Sequence, residues 1–255
     1  MQALLAGSTD WSHSFSLALK ALFSGTSPYL IFHFWNPPWV LFPLLPFFLF
    51  PSGRALMLLV SIFAFTFVAF RLGGKAPAVV AFLMSPLVFN SLMWGNVEWL
   101  TVLGLVVNPV IGIFLLVLKP QMTVIPMLFL LVETWHQNKW IGAAKFVLPV
   151  MIGFLLSFVA YGLWPLKILA YPQIVDPSLS FFPYSVPFGI LLSAFAFRRH
   201  EIRYAVAASP MFFPWLSPQV WLVVPLALVS STRWSLFVSI ASWLLVAWVQ
   251  IGFHA

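Results

Sequence analysis

Long apolar runs interrupted by short polar turns make up most of the chain from residue 37 onward. A helix that crosses a bilayer needs about 20 apolar residues, fewer when it is tilted or buried among others. On that scale the convincing spans are 55–71, 77–94, 121–135, 140–162, 183–197 and 233–252. Shorter apolar runs at 38–50, 97–107, 109–118, 204–213 and 218–230 are broken by Pro or Gly, and read as half-spans, kinked helices or helices buried in a bundle. Prolines, of which there are 21, suit such a protein, because neighbouring helices re-satisfy the carbonyls that Pro leaves free. The pattern predicts an all-α, polytopic transmembrane bundle of about ten apolar helices, counting the short and broken ones, in a single domain over 1–255.

Residues 1–36 follow another rhythm. Apolar positions at Phe15, Leu19, Leu22 and Phe23 share one stripe of a helix over 12–24, among Ser12, His13 and Lys20. Ser8, Thr9 or Asp10 is placed to cap its start and Gly25 to end it. An amphipathic helix of this kind lies in the membrane interface, so 1–36 is a juxtamembrane segment and 37–255 holds the transmembrane helices. A second polar stretch, 163–182, contains Lys167 and Asp176.

Composition fixes the solvent. Of 255 residues 62% are hydrophobic and 7% charged, whereas soluble domains carry roughly 25% charged residues. So few charges cannot cover a surface in water, and lipid must cover most of it. The net charge of +7 suggests nucleic acid at first sight. Yet the 12 Lys and Arg are scattered singly between apolar runs, with one cluster at Arg198, Arg199 and Arg203. That is the pattern of positive cytoplasmic loops, not of a phosphate-tracking stripe. The cluster marks 198–203 as cytoplasmic, and Lys139 and Lys145 agree with it, which puts Lys119 and 163–182 on the other face. Upstream, the side on which the N-terminal segment lies turns on whether 97–107 and 109–118 form one crossing or a re-entrant hairpin.

No cysteine is present, which excludes disulfides and thiolate chemistry. No cleavable signal peptide is recognisable at the start. The five histidines show no ligand-like spacing, so neither a metal site nor a cofactor is expected.

Six polar residues stand among the apolar runs as candidates for chemistry. Asp10 is either a helix cap or a general base for a hydroxyl nucleophile. Asn36, in Asn36-Pro37-Pro38-Trp39, either caps the helix that follows or lines a sugar site. Asn96 and Glu98 sit between two apolar helices, where ionisable groups are costly and mark function unless the turn is hydrated. Lys119, in Lys119-Pro120-Gln121, can meet a phosphate as a point charge, helped by the N–H groups of the helix starting near Gln121. Its bland alternative is a lysine snorkelling to the headgroups.

Taken in order, Asp10-Trp11, Gly25-x-Ser27-Pro28-Tyr29, Asn36-Pro37-Pro38-Trp39, Pro46, Gly95-Asn96, Lys119-Pro120-Gln121 and Trp140 resemble the GT-C integral membrane glycosyltransferases. The family-87, mannosyltransferase-like branch is the nearest match, over residues 8–141. The resemblance implies a polyprenyl-phosphate sugar donor and transfer to an acceptor hydroxyl at the extracytoplasmic face of a bacterial plasma membrane. It implies Asp10 as the catalytic acidic residue, Lys119 and Gln121 at the donor phosphate, and Asn36, Asn96 and Glu98 as polar lining. The family normally carries a spanning helix before its acidic loop; only Met1–Thr9 precede Asp10, which implies a short member lacking that helix. The alternative is a non-catalytic subunit or pseudoenzyme packed within a larger membrane complex. A transporter would call for inverted repeats and paired intramembrane charges, and the sequence displays neither.

Overall fold

In the computed structural model the described residues are 10–31, 33–166 and 179–252, with side chains up to 247. Every regular element among them is helical. After a π-helical turn at Trp11–Phe15 come α1 (Ser16–Phe23), α2 (Leu41–Leu49), α3 (Gly53–Arg71), α4 (Ala76–Leu83) and α5 (Pro86–Trp94). Next follow α6 (Glu98–Leu103), α7 (Pro109–Leu116), α8 (Pro120–Tyr161), α9 (Val186–Arg199), α10 (Ile202–Ala208), α11 (Val223–Ala227) and α12 (Thr232–Gly252). Short 3-10 turns at Pro28–Leu30, Pro38–Val40, Ser209–Phe212 and Pro218–Leu222 link them.

Two helices, α3 and α8, are long and apolar enough to cross a membrane, and a third crossing results if the bent pair α4–α5 is one span. Apart from α12, the other helices have 5 to 14 residues. The expected all-helical architecture with short and broken helices is observed, with two or three helices of spanning length packed among many short ones. Proline is the physical cause. The run 77–94 breaks at Ser85-Pro86, since Pro86 has no N–H for the Phe82 carbonyl, and the two halves meet at 57°. Ser85 caps the second half by accepting from the Val88 N–H at 3.4 Å.

The runs 121–135 and 140–162 are the two limbs of α8, which turns at Lys139 (φ 50°, ψ −137°). Gly142 makes this turn tight, because a Cβ there would lie 2.3 Å from the Thr134 carbonyl oxygen. The second limb returns to the end from which the first began, bringing the rings of Tyr161 and Tyr29 to 5.7 Å.

Helices α6 and α7 form the hairpin of the two alternatives posed by the sequence. Their legs touch backbone to backbone at Gly104 and Gly112, where an added Cβ would lie 2.8 and 2.6 Å from the facing carbonyl oxygen. The hairpin enters at Glu98 and leaves at Lys119, and these two side chains form an ion pair. Both mouths thus open at the same end of the molecule.

The amphipathic segment packs onto the protein. Phe15 and Leu19 are buried as the stripe requires, while Phe23 is exposed on one side and stacks on Phe48 at 5.7 Å. Gly25 ends α1 with φ 71°, the left-handed conformation that favours glycine.

Charge is divided between the two ends. Arg54, at the start of α3, bonds the last carbonyls of α5, and Arg71 at the other end of α3 lies roughly 26 Å away at 1.5 Å per residue, with Lys75 just beyond it. There Ser230 lies close to Gly73 and accepts a hydrogen bond from Arg203. His200 bonds Glu133 on α8 at 2.8 Å, just before the turn at Lys139. Hence Arg71, Lys75, Lys139, Lys145, Arg198, Arg199, Arg203 and Arg233 gather towards one end. Asp10, Lys20, Arg54, Glu98 and Lys119 belong to the other.

Candidate functional site

Asp10 heads the π-helical turn with helical backbone angles and no capping hydrogen bond from its side chain. The capping role expected of it is therefore corrected. Its carboxylate instead accepts from the side-chain amide of Asn96, which lies in the turn between α5 and α6. That turn is built to bring them together. Gly95 closes α5 at φ 67°, and a Cβ on it would come within 3.1 Å of Trp11 Cβ. Glycine here serves both the left-handed cap and the close approach of the N-terminal segment. Asn96 also accepts from the Val97 N–H at 2.7 Å, which fixes its carbonyl oxygen and turns its amide towards Asp10.

Two residues further on, Glu98 is fully buried. Its two oxygens have separate partners. One accepts from the Ser91 hydroxyl at 2.7 Å, and the other pairs with the ammonium of Lys119, whose side chain is 12% exposed. This lysine does not snorkel. A buried carboxylate persists only when it is paired and hydrogen-bonded, and both conditions hold here.

Asp10 feels these neighbours. Burial pushes its carboxyl up from 3.8 to about 6; Lys119 opposes the rise, Glu98 adds to it, and the bond from Asn96 opposes it. The first-turn carboxylate is thus poised where it can take a proton near neutral pH.

Asn36 and Gln121 flank the cluster without joining its bonds. Asn36 does not cap the helix expected after it, since Pro37 holds the capping position. Its amide donates across the fold to the Leu118 carbonyl at 3.0 Å and pins the segment 36–39 beside the exit of the hairpin. Gln121 has its side-chain carbonyl oxygen buried with no hydrogen-bond partner among the described residues. Beside Asn36 stands an aromatic stack. Tyr29 lies 4.9 Å from Trp164 with nearly parallel rings and donates its hydroxyl to the Asn36 carbonyl at 3.0 Å. Burial and the neighbouring Tyr161 push the Tyr29 hydroxyl far above its ordinary range, so it stays protonated and able to donate to Asn36.

Sequence reasoning missed two members. Ser91, one of the partners of Glu98, carries no signal of its own. Arg54 donates to the Leu92 and Met93 carbonyls at 2.7 and 2.9 Å and braces the turn from below. It could have been noticed, because a cation in the first turn of a helix opposes the helix dipole and needs a partner elsewhere. Lys167 and Asp176 lie outside the described residues. Among the described residues no three His, Asp or Glu side chains come together that could hold a metal ion.

No family model, no curated protein and no solved structure matches the chain.

Proposed function

We propose that the chain is a GT-C-like, multi-pass membrane glycosyltransferase that moves a sugar from a polyprenyl-phosphate donor to an acceptor hydroxyl. One observation carries this reading: Asp10, Asn96, Glu98 and Lys119, spread over 110 positions, meet at one end of a strongly apolar helical protein. The opposite end carries most of the basic residues, which by the positive-inside rule makes it cytoplasmic and the cluster extracytoplasmic.

In this mechanism Asp10 removes the proton from the acceptor hydroxyl. The acceptor oxygen then forms a bond to the anomeric carbon as the bond from that carbon to the phosphate oxygen breaks. Polyprenyl phosphate leaves with the electron pair and with negative charge. Glu98 takes one of the three N–H donors of the Lys119 ammonium, and the others serve the departing phosphate. The carbonyl oxygen of Gln121 is buried, and a sugar hydroxyl reaches it only when the site opens.

The buried pair itself favours a second reading. A lysine already neutralised by Glu98 suits a pseudoenzyme that has kept the fold and packs as a subunit of a membrane complex. Purified protein in liposomes with labelled polyprenyl-phosphate mannose and a simple glycoside acceptor separates the two. The enzyme transfers label. The subunit transfers none and co-purifies with membrane partners at fixed stoichiometry.

A further inference from the structure

A groove of about 440 Å³ opens far from the Asp10 cluster, between α7 and the second limb of α8, and its volume is in the range of small-ligand sites. Val110, Ile141, Ala144, Lys145, Leu148 and Pro149 line it. The lining presents apolar surface only, so the groove suits a hydrocarbon chain and offers nothing to a sugar or nucleotide. Pro149, inside the second limb, has no N–H to give to the Lys145 carbonyl four residues earlier. Lys145 contributes an exposed ammonium at the rim.

The position along the membrane axis is set by the turn at Lys139. Trp140 is 76% exposed and its ring packs edge-on against Trp135 at 4.3 Å, an arrangement that suits the headgroup level. Lys145 lies six residues deeper, roughly 9 Å along the helix. That is within snorkelling reach of the same level. The charges around it are one-sided. Arg71, Lys75, Lys139, Arg198, Arg199, Arg203 and Arg233 share this end. Its described carboxylates, Glu133 and Glu201, are engaged by His200 and Arg203.

We infer that this groove holds one acyl chain of an anionic phospholipid of the cytoplasmic leaflet, with the lipid phosphate at Lys145. The inference rests on the transmembrane orientation given above, not on glycosyl transfer. Cations within a Debye length of the surface add to the attraction, while the apolar wall selects a lipid over a free phosphate.

Native mass spectrometry of the full-length protein, with phosphatidylglycerol or phosphatidylcholine of identical chains added, tests the charge. Wild type retains phosphatidylglycerol in preference, and Lys145→Gln lowers that preference about fivefold, the ratio that roughly 1 kcal/mol per basic residue gives. Inorganic phosphate at matched concentration does not compete. Photo-crosslinking of wild type with phosphatidylglycerol carrying a diazirine on its chain tests the place, and needs no variant to fold. Label concentrates on 141–149. Equal retention of both lipids, an unchanged preference in Lys145→Gln, competition by free phosphate, or label spread evenly over α8 and α12 overturns the proposal. A protein that retains lipid at 141–149 but transfers no sugar leaves this inference standing and refutes only the enzyme.

Discussion

The carboxylate of Asp10 accepts a hydrogen bond from the side-chain amide of Asn96, 86 positions later in the chain. This contact ties the N-terminal segment to the turn that opens the α6–α7 hairpin. It also stabilises the charged form of a carboxyl that burial would otherwise keep protonated. Transfer activity therefore rises with pH through about 6, as Asp10 loses its proton. In Asn96→Leu the rise moves to higher pH, because a stabilising donor is gone and Glu98 and Lys119 remain. A pH–rate profile of both proteins measures the displacement, and coincident profiles would show that Asp10 is not the base.

The same group sets a stability trend of definite sign. Its folded-state value lies above 3.8, so the folded protein holds the proton more tightly than the unfolded chain. The contribution is fully present below pH 3.8, is lost as pH rises to about 6, and stays constant above that. Asp10→Asn removes this slope and unfolds no more readily than wild type at pH 7.5. Thermal unfolding in detergent at pH 4 and 7.5 reads both effects.

The Glu98–Lys119 pair closes the mouth of the hairpin, and truncating either side leaves a buried charge alone. Lys119→Met and Glu98→Gln are each expected to destabilise by about 3 to 5 kcal/mol. The double variant costs much less than the sum, because no isolated charge remains. A double-mutant cycle on unfolding midpoints decides this, and additive losses would mean that the two groups do not act as a pair.

Most helices were legible from the apolar runs, because outward-facing and inward-facing positions are both apolar and leave polar turns as punctuation. Their lengths were not. Pro86 breaks 77–94, a run that hydropathy alone reads as a plain span, whereas the turn at Lys139 falls between two runs already read as separate. Of the site residues, Asn96 and Glu98 stood out because polar groups between apolar helices are costly, Asp10 because a carboxylate can cap a helix or act as a base, and Lys119 because an ammonium can meet a phosphate. Sequence could not show that Glu98 and Lys119 would pair, nor that Asn36 would reach the Leu118 carbonyl instead of capping a helix. Those choices follow from how the hairpin folds back, which spacing does not encode. Ser91 was silent because a serine inside an apolar helix often bonds its own backbone.

The absence of native cysteine makes orientation directly measurable. Lys20→Cys and Arg199→Cys occupy opposite ends and are both exposed. In intact cells a membrane-impermeant maleimide is expected to label the first, and to label the second only after permeabilisation. The reverse pattern would put the Asp10 cluster in the cytoplasm.

Substitution of Asp10 tests the central claim most directly. Wild type, Asp10→Asn and Asp10→Glu, reconstituted in liposomes with labelled polyprenyl-phosphate mannose, are compared for initial rate of transfer to a glycoside acceptor at pH 7.5. The account predicts a loss of at least about a hundredfold in Asp10→Asn, with the fold intact, and partial activity in Asp10→Glu. Equal transfer by wild type and Asp10→Asn would contradict it.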